Sequence, residues 1–337
     1  MPISMKISSM NAVNLMTEKL VSLGVQMSDA RITAEVLIEA ELRGDPSHGI
    51  VCLVNLANAI KKGGILTNKN PAIVVDNKAI AVIDAENLLG PVAGNYAVTE
   101  AVKKAKEYGI SAVSVRKSHH LFTLGYYSKL IAQNGMIGIL TTSTAPAMFA
   151  PGGLEKVLGT NPFSIGIPTN DKPIIVDMSS TQVARGKIKE AAKNNKNIPL
   201  DWAVNKEGHS TENPSEALEG ALQPLGGYKG FALALAIDLL SNILSESASG
   251  KEIFGTSMHA NPEDKKTAHK GDLFIAIDIS KFTSLDTFTY RVTQLVESIK
   301  NSKKKEGVSI YIPGEKAHNK DKLIEIDDKL YEEIMNL

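Results

Sequence analysis

One cysteine, Cys52, and one tryptophan stand in a chain of 337 residues, and arginine occurs only at positions 31, 43, 116, 185 and 291. A single thiol excludes an intrachain disulfide and any cysteine-built metal site, and it fits a reducing compartment. Neither sign of charge is in excess, since 37 Lys+Arg balance 37 Asp+Glu. That balance argues against a nucleic-acid partner and against an electrostatic membrane anchor. No basic segment followed by an apolar core opens the chain, so no signal peptide is expected. The most apolar run, Gly230 to Leu244, is short for a bilayer and carries Asp238 and Ser241. It reads as a buried helix, and the protein as cytoplasmic. Also missing are GxGxxG after a strand, GxxxxGK[ST], the GxSxG elbow and HExxH. A Rossmann dehydrogenase, a P-loop enzyme, a serine hydrolase and a required metal are therefore not expected.

What is present is an ordinary globular composition, 43% hydrophobic and 22% charged, at a length that suggests about two domains. The first 65 residues have helical periodicity in three runs, with Ser9 and Ser28 as expected caps and Gly24, Gly44 and Gly63-Gly64 as stops. Ala72 to Asp84 reads as a hairpin about Asp76-Asn77-Lys78. Helical patterns follow at 95–108 and 124–134, with strands at 110–115, 136–142, 165–168 and 173–177. Residues 185–225 are polar, Lys/Asn-rich and carry three prolines, the mark of an excursion from the main body. After the apolar helix come a polar loop at 245–270, a strand at 273–279, a helix at 286–299, a strand at 308–312 and a terminal helix from Asp328. The class is mixed α/β (α+β). The expected division is a helical domain from 1–70 with 316–337, a nucleotide-binding domain from 71–184 and 226–315, and the insert 185–225.

Between these elements lie glycine-rich or polar turns. They include Arg43-Gly44-Asp45-Pro46-Ser47-His48-Gly49, His119-His120, Gly159-Thr160-Asn161-Pro162, Asp177-Met178-Ser179, Gly226-Gly227-Tyr228-Lys229-Gly230 and Pro313-Gly314-Glu315. Taken singly, each is an ordinary turn. Together they offer backbone that a ligand can approach and N–H groups that suit phosphate. Lys229 opens the apolar helix, so a cation and a helix N-terminus coincide there. A His beside Ser47, or at a strand end as in His119-His120, has the right intrinsic acidity for proton transfer at neutral pH.

The order and spacing of RGDPSHG (43–49), GYYSKLIAQNGMIGI (125–139), PGGLEKVLGTNPFSIGIP (151–168), IIVDMSSTQVARGKI (174–188) and LQPLGGYKGFALALAIDLLS (222–241) resemble the type-2 malate/L-lactate dehydrogenase family. The resemblance spans roughly 20–315. It implies a non-Rossmann nucleotide-binding domain on a mostly antiparallel or mixed sheet, plus a helical domain. It also implies NAD or NADP as cofactor, a small 2-hydroxy acid and its 2-oxo acid as substrates, and a homodimer. His120 and His48 match the acid/base positions, with His120 ranked first and Ser47 as an orienting hydroxyl. Thr144, Asp177, Met178, Ser179, Lys229, Gly230, Gly314 and Glu315 match cofactor-contacting turns.

Three positions depart from the family. Cys52 stands where an Arg often grips the substrate carboxylate, Leu56 where an aromatic is common, and Phe122 where a glycine is usual. A thiol cannot replace a bidentate guanidinium. Arg43, Arg116 and Arg185 are the candidates for a displaced grip. Two alternatives follow from these departures: a reductase of an imine of a 2-oxo acid, and a cofactor-binding homologue without catalysis.

Overall fold

The structure is a computed structural model, and it describes residues 4–254, 268–315 and 323–337. The expected loop at 245–270 and the expected segment 316–337 therefore lie partly outside the described residues, at 255–267 and 316–322. A short strand β1 (Ser4–Ile7) leads into α1 (Ser9–Ser22), whose cap is Ser8 rather than Ser9, the Ser8 hydroxyl accepting the Asn11 N–H at 3.2 Å. Helix α2 (Met27–Leu42) begins after Gln26, and Ser28 lies inside it rather than capping it. Helix α3 (Cys52–Lys61) turns Cys52, Leu53 and Leu56 inward.

The hairpin forms as its composition predicts, β2 (Ala72–Asn77) with β3 (Ile80–Asp84) and Lys78 at positive φ in the turn. Helix α4 (Gly90–Tyr108) ends at Gly109, whose φ of 85° is the left-handed conformation that glycine adopts without strain. Next come β4 (Ile110–Ser118), α5 (Leu124–Gln133) and β5 (Met136–Thr142). Strands β6 (Met148–Phe149), β7 (Lys156–Leu158), β8 (Phe163–Ile167) and β9 (Ile174–Met178) complete the middle of the chain. The excursion at 185–225 holds α6 (Arg185–Lys193), β10 (Ala203–Val204), α7 (Pro214–Glu219) and β11 (Ala221–Leu222). The apolar run is α8 (Tyr228–Ser241), followed by β12 (Lys270–Asp278), α9 (Leu285–Lys300), β13 (Ile324–Asp327) and α10 (Asp328–Met335).

A seven-stranded sheet in the order β2-β3-β4-β12-β5-β8-β9 organises the molecule. Every neighbour pair in it is antiparallel except β3 with β4. Central β12 sets Phe274 opposite Val113 of β4 and Leu140 of β5. Phe274 is fully buried and meets the equally buried Tyr127 of α5 edge to face, with ring centroids 6.0 Å apart. The same apolar core continues through α4 into α1–α3 and takes in Ile324, Ile326 and Ile334 of the C-terminal segment. The excursion has a small cluster of its own, built on Ile188, Ile198, Ala203, Ala217 and Leu222.

Two expectations are corrected. Residues 308–312 form no strand. Helix α8 is not buried all round: Gly230, Ala234, Ile237, Asp238 and Ser241 face the protein, whereas Leu239 is 50% and Leu240 45% exposed, and the helix ends at Ser241 rather than running on to Leu244. A uniformly apolar sequence does not say which side finds a partner within one chain.

Strand β4 runs on to Ser118, which places His119 and His120 immediately after it. His119 turns into the core, only 4% exposed, and its Nε2 lies 2.9 Å from the Gly64 carbonyl. Since a carbonyl only accepts, Nε2 carries the proton. Burial disfavours the imidazolium and pulls this pKa from 6.5 to about 4. Between those values the unfolded chain binds the extra proton, so stability is fully present above pH 6.5 and falls as pH drops toward about 4. Acid denaturation followed by circular dichroism should show a loss of roughly 3 kcal/mol across that window, and His119→Gln should flatten it. An unchanged slope in the variant would contradict this account.

Candidate active site

A cleft of about 610 Å³ opens where three turns meet. They are the 43–49 turn after α2, the 119–124 turn between β4 and α5, and the end of β9 at 177–179. Asp177 joins them. Its Oδ2 accepts the Gly125 N–H at 2.6 Å and the Thr123 hydroxyl at 3.1 Å, and Arg43 Nη2 lies 3.8 Å away. Burial raises the Asp177 pKa, with the Arg43 charge and the two hydrogen bonds opposing it. A Cβ at Gly125 would stand 2.5 Å from the Arg43 guanidinium, so the close approach depends on that glycine.

The two candidate histidines are brought together. His48 and His120 stack with ring centroids 5.4 Å apart and an interplanar angle of 28°. Their Nδ1 atoms have opposite partners. His48 Nδ1 is 2.8 Å from Asp45 Oδ2 and 3.0 Å from Ser47 Oγ, and the Ser47 hydroxyl donates to Asp45 Oδ1 at 2.7 Å. A carboxylate accepts only, so this Nδ1 bears a proton. His120 Nδ1 instead accepts the Phe122 backbone N–H at 2.8 Å. It has no proton there, and its ring is the neutral Nε2–H tautomer.

Phe122 explains itself in the same geometry. Its φ is 62°, a left-handed value that suits the glycine usual in the resembled family. A phenylalanine there carries strain on the order of 1 kcal/mol. Its ring lies 4.8 Å from the His120 ring, and it lines the cleft.

Hydroxyls make up the opposite wall. Thr144 Oγ1 accepts the Thr160 N–H at 2.9 Å, and Thr142, Ser143 and Ser179 also line the space. Met178 faces it as well. The turn that bears Lys229 and Gly230 abuts this region: Leu225 N–H bonds Ser180 O at 2.9 Å, and a Cβ on Gly230 would meet that carbonyl at 2.7 Å. Lys229 itself is exposed and does not line the cleft. Gly314 and Glu315 lie apart from it. Gly314 backs onto Ile175, and Glu315 pairs with Lys300 and accepts the Ile312 N–H at 2.9 Å.

The departures fall unevenly. Cys52 and Leu56 are buried and do not reach the cleft, and burial pushes the Cys52 thiol up. Val51 and Asn55 line the cleft instead. Of the three arginines, Arg116 is committed to Asp84 at 3.0 Å and to Glu246. Arg43 is held near Asp177. Arg185 lines the cleft, makes no hydrogen bond or ion pair with the described residues, and has its pKa lowered by burial.

Sequence reasoning assigned no role to Asp45 or Lys270. Lys270 lines the cleft from β12, wholly buried, with Nζ 2.5 Å from Asp272 Oδ1 and 2.9 Å from Thr142 Oγ1. Burial lowers its pKa, and Asp272 opposes the fall. Asp45 could have been found, since it stands three residues before His48 in a tight turn. Nothing in the sequence links Lys270 to Thr142.

Comparison with known proteins agrees with this architecture. The family description "Malate/L-lactate dehydrogenase" matches residues 7–335. The chain is 43% identical to L-sulfolactate dehydrogenase of Methanocaldococcus jannaschii, over 97% of this chain and 94% of that protein. It is 31% identical to ureidoglycolate dehydrogenase (NAD(+)) of Escherichia coli K12, over 98% and 95%. The crystal structure of malate dehydrogenase from Entamoeba histolytica superposes with a TM-score of 0.92 at 30% identity, covering 99% of this chain and 97% of that one. The chain belongs to the malate/L-lactate dehydrogenase family.

Proposed function

We propose that the protein is an oxidoreductase that moves a hydride between NAD(P) and a small 2-hydroxy acid/2-oxo acid pair. The observation that carries the reading is the stacked His48–His120 pair at a hydroxyl-walled cleft. A space of that size with few convergent polar groups suits a ligand site. The donors fit a nicotinamide nucleotide. Thr144, Asp177, Met178 and Ser179 would hold its reactive end, and Lys229 with Gly230 at the start of α8 offers a neighbouring anion site. Gly314 and Glu315 would contribute only to a more distant part.

When bound, the reduced cofactor supplies the hydride and leaves oxidised. The protein must then place a proton on the carbonyl oxygen as its π electrons move there. His48 is the group for this. With Nδ1–H fixed by Asp45 and Ser47, the proton that leaves is the one on Nε2, and solvent replaces it. His120 contributes a neutral N–H that hydrogen-bonds the same oxygen. To act as an acid itself it would need a proton on Nδ1, where the Phe122 N–H already points. The ranking of the two histidines is therefore reversed from the sequence reading. Arg185, whose guanidinium has no ion-pair partner among the described residues, is the grip for the substrate carboxylate.

The relatives named above act on sulfolactate, malate and ureidoglycolate, so a 2-hydroxy acid bearing a second polar group is the substrate class favoured. The outer side of α8 and the turn after it support a homodimer. Leu235, Leu239, Leu240, Ile243 and Leu244 form an exposed apolar face, while Asp238 and Asn242 are buried on the other side. A membrane-spanning helix would be apolar all round, whereas a one-sided stripe suits a second copy. The lone buried thiol suits a reducing compartment such as the cytoplasm.

Purified protein offered NADH or NADPH with pyruvate, oxaloacetate and sulfopyruvate should oxidise a cofactor with at least one of them. Oxidation only with cyclic imines would favour the imine-reductase reading, and cofactor binding with no turnover the inactive one. His48→Ala should cut turnover by about 10²–10⁴-fold while NADH fluorescence still reports binding, and His120→Ala should cost less. Arg185→Met should raise KM for the 2-oxo acid by about tenfold or more and leave cofactor affinity in place. Light scattering should give a dimer mass, and Leu239→Glu should halve it.

A further inference from the structure

We propose that Asp45 is a positioning residue for the reaction: together with the Ser47 hydroxyl it holds His48 by Nδ1 and aims Nε2 at the substrate oxygen. The inference rests on the oxidoreductase reading above. Its geometry is local. Pro46, Ser47 and His48 form a single 3₁₀ turn, with Asp45 immediately before it. The His48 N–H bonds the Asp45 carbonyl at 3.1 Å, so backbone and side chain of Asp45 both hold the same residue. Both carboxylate oxygens are used, Oδ2 on His48 Nδ1 at 2.8 Å and Oδ1 on the Ser47 hydroxyl at 2.7 Å. Ser47 Oγ then presents a lone pair to the same Nδ1 at 3.0 Å.

The other charged and titratable groups around His48 do not replace this partner. His120 stacks on its ring but is neutral by its own hydrogen bond. Asp177, from β9, acts on His48 through space and is already matched by Arg43. Lys187 of α6 opposes a cation here and acts on Asp45. Cys52 of α3 donates its thiol to the Ser47 carbonyl at 3.3 Å, with Glu41 and Lys189 acting on that thiol. Gly186 lets α6 close over the turn, since a Cβ there would stand 2.6 Å from Ser47 Oγ. For Asp45 itself, burial raises the carboxyl but the hydrogen bond and charge of His48 outweigh it, and the net direction is down. The carboxylate is thus ionised wherever the enzyme works.

In reduction the imidazolium gives its Nε2 proton to the carbonyl oxygen, and the carboxylate on Nδ1 stabilises the cation before transfer. In oxidation the neutral ring takes the proton back at the same atom. Removing the carboxylate charge weakens the cation, so the pH above which reduction fails should fall.

Asp45→Asn tests this in the full chain. The alkaline limb of kcat/KM for 2-oxo acid reduction should move down by about one pH unit, since an opposite charge at this distance favours the charged form. Turnover should then drop about tenfold near pH 8 and recover toward wild type near pH 6. NADH affinity should change little, and Asp45→Glu should restore part of the limb. An unmoved limb, or an equal loss at every pH, would overturn the proposal. If Asp45→Asn fails to fold, Ser47→Ala should give a smaller shift of the same sign. If no 2-oxo acid is turned over, the functional reading fails and this one is still decided. The His48 imidazole resonances, assigned with His48→Gln, should titrate at lower pH in Asp45→Asn than in the unaltered protein, and coincident titrations would refute it.

Discussion

The site depends on a largely buried carboxylate. Asp177 collects a backbone N–H and a hydroxyl from the start of α5 and a guanidinium from the end of α2, while itself ending β9. Those three segments come from distant parts of the chain. Isolated, a carboxylate so placed would be costly, and its raised pKa records that cost. Removing any partner leaves the charge under-compensated, which is more damaging than the net worth of the pair. The turn that bears His48 and the turn that bears His120 are therefore both referenced to one group, and their 5.4 Å stacking is a consequence of it.

Two residues of the same type acquire different chemistry from what lies behind them. An acceptor behind Nδ1 suits His48 to the proposed role of proton carrier, and a donor behind Nδ1 leaves His120 suited to the proposed role of hydrogen-bond donor. The third histidine, His119, is removed from the chemistry by burial and by Gly64. The strained backbone of Phe122 belongs to the same arrangement. Its N–H reaches His120 only because the turn is left-handed there, and the phenyl ring then packs on the imidazole it orients. A glycine would make the turn cheaper but would leave the ring unsupported.

Elements carrying both period and punctuation were legible in the sequence. The 72–84 hairpin, α5, β5 and the end of α4 at Gly109 form as the residues predict. Strands β1 and β13 were not legible, because four residues have too little pattern and they pair with each other from opposite ends of the chain. The run at 308–312 has strand composition but forms no ladder, although the chain just after it touches the edge strand β9, where the Ile175 N–H bonds the Pro313 carbonyl at 3.2 Å; composition alone does not make a strand. Helix α8 reads as buried from its composition, but hydrophobicity tells how much surface avoids water, not which side of the helix is covered. In the site, residue types were legible and roles were not. Nothing in the order His119-His120 tells which ring faces in, and the Lys270–Thr142 contact joins positions 128 residues apart.

Charge balance in the cleft accounts for what the missing arginine at position 52 does and does not change. The thiol there is buried behind Ser47, so the cleft did not lose a cation to a neutral group on its own wall. Arg43 is matched by Asp177 and Lys270 by Asp272, and each pair is close to neutral as seen from the cavity. Arg185 has no matching carboxylate among the described residues, and burial draws its pKa down. An anion entering beside it would relieve that burial cost and gain a charge-assisted hydrogen bond together. On the proposed function, the attraction to a carboxylate would lie at the first residue of α6 rather than on α3, and would set the orientation in which a 2-oxo acid presents its carbonyl to His48.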